Sequence, residues 1–280
     1  GCVTQSSNAV TFISASMRAA GMIALRRLLP LLAWANVGTA GLVLVATLDL
    51  RIGALWLLGV VGCATYFGLD AGGRLRPLLA ALAGLGLMLL GLGLIKAGAA
   101  PLRDLEIVRA VLSFAGDAWL PPFLVGALIT LVAQSSSTVS ILAITLKTAG
   151  LLSFDQAVAT IYGASLGSGL AVLLLSGGVE GTARQPVLWQ TILRATGAAI
   201  FLFMLELERG FDIPLVLWTV EHLAYELDTQ LALVFLFLQL FTALLMAPFH
   251  GLLERLLERW APASEHETQA RPRYLYPQAL

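Results

Sequence analysis

Long apolar segments, separated by short charged stretches, follow one another along most of the chain. A helix needs about 20 mainly apolar residues to cross the hydrocarbon core of a bilayer. Six segments come close to that length and predict six membrane-spanning helices. They are residues 28–47, 52–69, 77–95, 157–175, 187–205 and 231–249.

Two further apolar regions, residues 1–22 and 119–151, lack the pattern of simple spans. Each is interrupted by a glutamine followed by small polar residues, as TQSSN in the first region and AQSSST in the second. Irregular backbone at membrane depth persists only where protein or water covers it. The clusters therefore predict covered breaks, whereas the mixed charged and apolar residues at 102–114 and 214–227 predict amphipathic helices at the interface.

The amino-acid composition agrees with this pattern. Of the 280 residues, 58% are hydrophobic and 12% are charged, whereas soluble domains carry about 25% charged residues. The sequence predicts an all-α integral membrane protein. A net charge of zero gives no case for a nucleic-acid partner. The two cysteines fit no metal spacing, and no nucleophile–base arrangement or phosphate-binding loop indicates an enzyme or a cofactor.

The two polar clusters belong to an internal repeat. A shift of 129 residues aligns Gln5 with Gln134, Ser6 with Ser135 and Ser7 with Ser136. The same shift, without a gap, aligns ANVGT at 35–39 with ASLGS at 164–168, and the basic residue Arg18 with Lys147. Two polar elements at one common spacing, together with a matched basic residue, indicate a duplication.

The duplication is predicted to be inverted, because three predicted spans lie between the clusters and an odd number reverses the side of entry. Residues 1–100 would form the first repeat and residues 101–262 the second, as in transporters that bind substrate near the midplane. Most arginines then share the side of the C-terminus. The positive-inside rule therefore predicts a multi-pass protein of the cell (inner) membrane with a cytoplasmic C-terminus.

The polar clusters carry the groups that an ion-binding site needs. Hydroxyl and amide N–H groups donate to an anion, while hydroxyl, amide and freed carbonyl oxygens coordinate sodium. A half-helix that starts just after Ser137 would also point its amide groups at the anion. For a single serine cluster, hydrogen bonding between packed helices is the simpler interpretation. Two copies in matching register favour a binding site.

At these residues the chain resembles the sodium–phosphate cotransporter family, the type II transporters and their bacterial relatives. The stretch from QSSSTVS to YGASLGSG is similar to that family's repeat, and TQSSNAVT with WANVGTAG is similar to the other copy. The resemblance covers most of residues 1–262. It implies re-entrant helical hairpins with the clusters near their tips. It also implies transport of inorganic phosphate by alternating access, with sodium as the coupling ion.

Carried over by position, the resemblance implies a set of residues that bind phosphate and sodium. Those of the clusters are Gln5, Ser6, Ser7, Asn8, Gln134, Ser135, Ser136 and Ser137. The paired elements add Asn36, Thr39, Ser165 and Ser168. Sodium is assigned to Gln5, Ser6, Gln134, Ser135, Asn36 and Ser165. The expected partners are phosphate, sodium and the lipid bilayer, and the sequence leaves a homo-oligomer open.

Two features depart from the family pattern. Asn8 stands in place of a third serine. The H-x-x-F-N element of the later helices is replaced by QTILR, with Gln190 and Arg194, and by FLFLQ, with Phe235 and Gln239. A charge in the middle of a span costs about 2.5–3.5 kcal/mol on insertion scales. Arg194 is therefore a candidate for the anion pathway, compensating for the lost polar residues, and an arginine that snorkels or pairs with a carboxylate is an equally open interpretation.

These departures leave other functions open. One alternative is a transporter of another small anion, or one with different ion coupling. Another is a membrane anion sensor or scaffold that does not transport. The tail RPRYLYPQAL is similar to the linker that precedes a cytoplasmic PhoU-like domain in bacterial members. Residues 263–280 are therefore predicted to be a linker, and the chain is predicted to be truncated at both ends.

Overall fold

The computed structural model describes residues 4, 6–47, 51–69, 73, 75–99, 101, 105–106, 118–264 and 267. Within these residues the structure is helical and contains no strand, which confirms the predicted all-α class. The α-helices are α1 (Ser7–Ala19), α2 (Leu25–Thr47), α3 (Arg51–Tyr66), α4 (Arg76–Ala99), α5 (Leu120–Ala133), α6 (Ser136–Thr148), α7 (Phe154–Leu175), α8 (Arg184–Phe211), α9 (Val216–Leu223), α10 (Leu227–Met246) and α11 (His250–Trp260).

Some predictions fall on residues that the structure does not describe. Gln5, most of the predicted amphipathic helix at 102–114 and most of the predicted linker lie outside the described residues. The second predicted amphipathic segment contains α9, whose start is held by Glu208. The Glu208 carboxylate accepts hydrogen bonds from four consecutive backbone N–H groups at 215–218, which are donors that a helix start leaves unsatisfied.

Four helical segments of the described chain are long and apolar enough to cross a membrane, and they contain four of the six predicted spans. They are Leu25–Thr47, Phe154–Leu175, Gly181–Phe211 and Leu227–Trp260. The other two predicted spans correspond to α3 and α4, with shorter apolar stretches at Ile52–Tyr66 and Arg76–Gly91. Large apolar side chains point outward, as Val132 does with 82% of its surface exposed, which is typical of a membrane-facing surface.

The second polar cluster forms the turn of a helical hairpin between α5 and α6. Helix α5 ends because Gln134 adopts the left-handed conformation (φ 58°, ψ 17°). Ser135 is extended, and its hydroxyl accepts a hydrogen bond from the Thr138 N–H at 3.3 Å, which caps the start of α6. With 14 and 13 residues, the two helices are each about 20 Å long, shorter than the roughly 30 Å hydrocarbon core. The predicted break is thus present.

The first polar cluster has the same local structure. Ser6 is extended (φ −143°, ψ 104°), as Ser135 is (φ −139°, ψ 103°), and its hydroxyl caps α1 by accepting from the Ala9 N–H. Both following helices have 13 residues and are followed by a left-handed glycine, Gly21 or Gly150. The two copies therefore match in backbone conformation over this stretch. Their inversion across a membrane stays a prediction.

Glycines bring the hairpin into direct backbone contact with α7. A Cβ atom added at Gly163 would lie 2.8 Å from the carbonyl carbon of Phe123 in α5, and closer still to its oxygen. One added at Gly167 would lie 2.8 Å from the carbonyl carbon of Ala127, one turn farther along α5. Two small residues four apart on one helix face let the neighbouring backbone approach closely. Helix α5, and with it the Gln134 turn, is therefore positioned by α7.

Helix α8 joins the two apolar cores. Trp189 and Leu193 belong to one buried cluster with Leu29 of α2, and Phe201 belongs to the other with Tyr162 and Phe235. Gln190 and Arg194 share the buried face of α8 between them. The fold thus places two polar side chains in the middle of an apolar helix face, where Arg194 contacts the starts of α1 and α6 and Gln190 contacts Asn36 of α2.

The chain beyond α11 folds back onto the loop before α8. The carboxylate of Glu267 accepts hydrogen bonds from the Thr182 N–H (3.0 Å), the Thr182 hydroxyl (2.9 Å) and the Ser264 N–H (3.1 Å). Partial burial raises the pKa of the Glu267 carboxyl, but these hydrogen bonds outweigh it and hold the pKa below its ordinary value. Nearby, the Gln185 side-chain amide donates to the Ala261 carbonyl at 2.8 Å.

Candidate functional site

Arg194 lies at the centre of a polar network that joins both clusters. Its side chain is 2% exposed. Nη1 donates to the hydroxyl of Ser136 at 3.1 Å, and Nη2 donates to the hydroxyl of Ser7 and to Oδ1 of Asn36, the latter at 3.0 Å. Ser7 and Ser136 are equivalent residues of the two predicted repeats. One guanidinium therefore holds one serine from each cluster and the asparagine of α2.

Asn36 is oriented by a residue outside the predicted set. Gln190 Nε2 donates to Asn36 Oδ1 at 2.7 Å, and Asn36 Nδ2 donates to Gln190 Oε1 at 3.3 Å. Both side chains are buried. The signal for Gln190 was its place in QTILR, four residues before Arg194 and on the same helix face. Thr39 does not reach this pair with its hydroxyl, which donates to the Asn36 carbonyl at 2.7 Å.

Asn8 connects the first cluster to the turn of the second. Its Nδ2 donates to the Gln134 carbonyl at 3.0 Å, and its Oδ1 accepts from the Ser168 hydroxyl at 3.3 Å. The carbonyl that it satisfies belongs to the left-handed residue where α5 ends, so it has no partner from a continued helix. The departure at this position thus has a structural reason, because an amide supplies the donor and the separate acceptor that these two contacts use.

The remaining predicted residues take other places. The hydroxyls of Ser6 and Ser135 cap helices rather than joining the Arg194 contacts. Ser137 and Ser165 are 5% and 1% exposed, and among the described residues neither makes a side-chain hydrogen bond to this network. The predicted residues therefore form two neighbouring hydrogen-bonded groups. Arg194 holds Ser7, Asn36 and Ser136, and Asn8 joins the Gln134 carbonyl to Ser168.

The charge of Arg194 has no acidic counterpart in the described part of the chain. The ion pairs found there are Arg18 with Glu258 and Arg209 with Asp155. Arg194 also keeps its Nε buried without a hydrogen-bond acceptor. Among the described residues, Arg194 therefore does not pair with a carboxylate, which was the alternative interpretation. An uncompensated buried ion costs several kcal/mol, so this arrangement favours a bound anion.

Two helix starts add to the positive potential around the guanidinium. Ser7 and Ser136 are the first residues of α1 and α6, and both contact Arg194. The start of a helix carries a partial positive charge and amide N–H groups without intrahelical acceptors. A guanidinium and two helix starts, surrounded by neutral hydroxyl and amide groups, form a chemical environment suited to an oxyanion.

Comparison with known proteins shows which family the chain resembles over most of its length. The family model described as Na+/Pi-cotransporter matches residues 1–97 and 105–246. The chain is 31% identical over 287 residues to the "Putative inorganic phosphate export protein YjbB" of Salmonella typhimurium, and 32% identical over 285 residues to the protein of the same name in Escherichia coli K12. Each match covers 99% of this chain and 50% of the relative, so the chain spans half the length of these relatives.

A more distant relative is similar over most of its own length. The "Uncharacterized protein YqeW" of Bacillus subtilis is 26% identical over 263 residues, which cover 93% of this chain and 81% of the relative. No solved structure matches the chain. The match to the family model includes α1, α2, α6, α7 and α8, the helices that supply the network around Arg194.

Proposed function

The chain belongs to the Na+/Pi-cotransporter family, and from this membership we propose that it moves inorganic phosphate across the cell membrane by alternating access. The names of the YjbB relatives refer to phosphate export, which supports an outward direction. Phosphate binds beside Arg194, between the start of α1 at Ser7 and the turn at Gln134. The remaining predicted cluster residues shape the turns that hold this site.

The observation that carries the proposal is the contact of Arg194 with one serine from each cluster. A guanidinium is planar and presents paired N–H donors that match two oxygens of a phosphate. The hydroxyls of Ser7 and Ser136 accept from Arg194, and by rotating their O–H bonds they also donate to a bound anion. Phosphate would thus meet donors from both predicted repeats at once.

The proposed transport cycle follows from the helices that carry these donors. Ser136 lies on the hairpin that the glycines of α7 hold in place, and Ser7 lies on α1, which packs on α8 and α2. A movement of one cluster relative to the other would open the site on one side while the other side stays covered. This is the role that paired broken helices have in inverted-repeat transporters.

Sodium coupling is the finer expectation that the description of the family raises, and the residues assigned to sodium give it little support. Of the residues assigned to sodium, Ser6 and Ser135 use their hydroxyls as helix caps. Asn36 Oδ1 already accepts from both Gln190 and Arg194. The names of these relatives do not mention a coupling ion.

Phosphate binding to the Arg194→Gln variant tests the site. The variant keeps a polar side chain but removes the charge, and truncating one partner of a buried charged contact costs about 2–5 kcal/mol. We expect phosphate to bind at least about 100-fold more weakly, which corresponds to about 2.8 kcal/mol. Isothermal titration of the chain in nanodiscs measures this, with Arg259→Gln at an exposed arginine as the matched control.

Two results would contradict the proposal. Unchanged phosphate affinity in a folded Arg194→Gln variant would remove Arg194 from the site. Phosphate binding without flux of radiolabelled phosphate in proteoliposomes would favour the anion sensor over the transporter.

A further inference from the structure

We propose that the guanidinium of Arg194 is a built-in counter-cation, which takes a place that a coupling sodium ion would otherwise fill, so that phosphate transport by this chain does not require sodium. This inference rests on the proposed phosphate site and concerns what balances the charge of the anion there.

The ligands of the guanidinium are of the kind that a hard metal cation uses. Its three acceptors are two hydroxyl oxygens, of Ser7 and Ser136, and one amide oxygen, of Asn36. They come from three different helices and converge on one buried positive charge. Hydroxyl and side-chain carbonyl oxygens are acceptors for a guanidinium and ligands for a hard cation alike. The guanidinium and a cation at these oxygens are therefore mutually exclusive.

Oxygens of three further residues assigned to sodium, Ser6, Gln134 and Ser135, are engaged as well. The Ser135 hydroxyl is bonded to the Thr138 N–H and hydroxyl, and the Ser6 hydroxyl to the Ala9 N–H. The backbone oxygen of Gln134, which the helix break frees, accepts from Asn8. A sodium ion at these oxygens would have to displace hydrogen bonds that hold both turns. The oxygens of Ser7, Asn36 and Ser136 thus fit a protein-borne cation better than sodium.

Electrostatics around the network points the same way. Arg194 has no carboxylate partner among the described residues, and the positive starts of α1 and α6 lie at its serine ligands. A second cation at this place meets repulsion of like charges. A singly charged phosphate, by contrast, neutralises the guanidinium without any further ion. Sodium is therefore not needed to lower the cost of bringing the anion into a buried site.

Flux in the presence and absence of sodium tests the inference. Proteoliposomes that contain the chain are given one phosphate gradient in sodium chloride, potassium chloride or choline chloride. We expect wild-type flux in choline to stay within twofold of flux in sodium. Wild-type flux that falls tenfold or more in choline would overturn the inference.

The Arg194→Gln variant gives the complementary result. Loss of the guanidinium frees the oxygens of Ser7, Asn36 and Ser136. We therefore expect the flux of the variant in choline to be at least tenfold below that of the wild type. We expect the flux of the variant in sodium to be at least threefold above its flux in choline. A sodium-to-choline ratio near one in both proteins would contradict the claim that Arg194 fills a cation place. The Arg259→Gln control should behave as the wild type. If Arg194→Gln does not fold, Arg194→Lys, which keeps the charge, should remain independent of sodium.

The same experiment distinguishes a failure of the proposed phosphate transport from a failure of the proposed role of Arg194. If phosphate neither binds nor moves with any of the three cations, the proposed function itself fails. If phosphate binds and moves but only with sodium, the function stands and the counter-cation role of Arg194 is wrong.

Discussion

Replacement of Gly163 by alanine tests whether the contact between α5 and α7 positions the site. The added Cβ would lie 2.8 Å from the carbonyl carbon of Phe123, whereas carbon atoms make their best contact at about 3.5–4.0 Å. The two helices must therefore separate by roughly 1 Å. Overpacking of this kind costs about 1–3 kcal/mol, and we expect the upper part of that range because both contacting groups belong to helix backbones.

The displacement should reach the anion site. Helix α5 ends at Gln134, whose carbonyl accepts from Asn8 at 3.0 Å, and a shift of about 1 Å takes that hydrogen bond beyond its usual range. We therefore expect Gly163→Ala to lower the unfolding temperature in detergent and to weaken phosphate binding about tenfold. Differential scanning fluorimetry and isothermal titration measure the two effects on one preparation.

A matched glycine provides the control. Gly62 lies within α3, and a Cβ added there meets no atom within 4 Å. Because alanine favours helix by up to about 1 kcal/mol over glycine, Gly62→Ala should be neutral or stabilising. If Gly163→Ala also melts and binds phosphate like the wild type, the close backbone contact is not what positions the Gln134 turn.

Two further substitutions test residues that hold other parts of the structure in place, Gln190 beside Asn36 and Glu267 beside Thr182. Gln190→Ala leaves the amide of Asn36 without its two-way partner, which should cost about 1–3 kcal/mol of unfolding free energy and weaken phosphate binding; an unchanged melting temperature and affinity would show that Asn36 is held by Arg194 alone. Because the pKa of Glu267 is lowered, its attachment to Thr182 is complete above the ordinary carboxyl pKa and is lost as the pH falls through the lowered value. Glu267→Gln should therefore speed hydrogen exchange at the Thr182 amide at neutral pH, whereas protection equal to that of the wild type would contradict this role.

Much of the fold could be predicted from the sequence, because its causes are local. Membrane spans follow from apolar length, and the helix breaks follow from polar side chains that cap the next helix. Ser6 and Ser135 show this directly, since each accepts from a backbone N–H three residues later in its own sequence. The spacing of the two clusters also predicted that they belong together, and Arg194 contacts one serine of each.

The detailed membership of the site could not be predicted in the same way. Gln190 and Gln239 stand at comparable points of two altered elements, yet Gln190 pairs with Asn36 whereas Gln239 Nε2 has no partner among the described residues. Which of two similar residues joins a network depends on the rotation and approach of whole helices. Those are set by packing over many residues.

By itself the sequence determined that the chain is a membrane protein with two matched polar clusters, each of which caps the helix that follows it, since apolar length and helix capping act within a few residues of the chain. Only the tertiary structure decided that Arg194 holds Ser7 and Ser136 together, across 187 and 58 residues. Side-chain contacts over such separations depend on the glycines of α7 that set the place of one hairpin and on the apolar cores that set the rotation of α8. The charge of Arg194 within an apolar span is thus a property of the sequence, and its burial between the two clusters is a property of the fold.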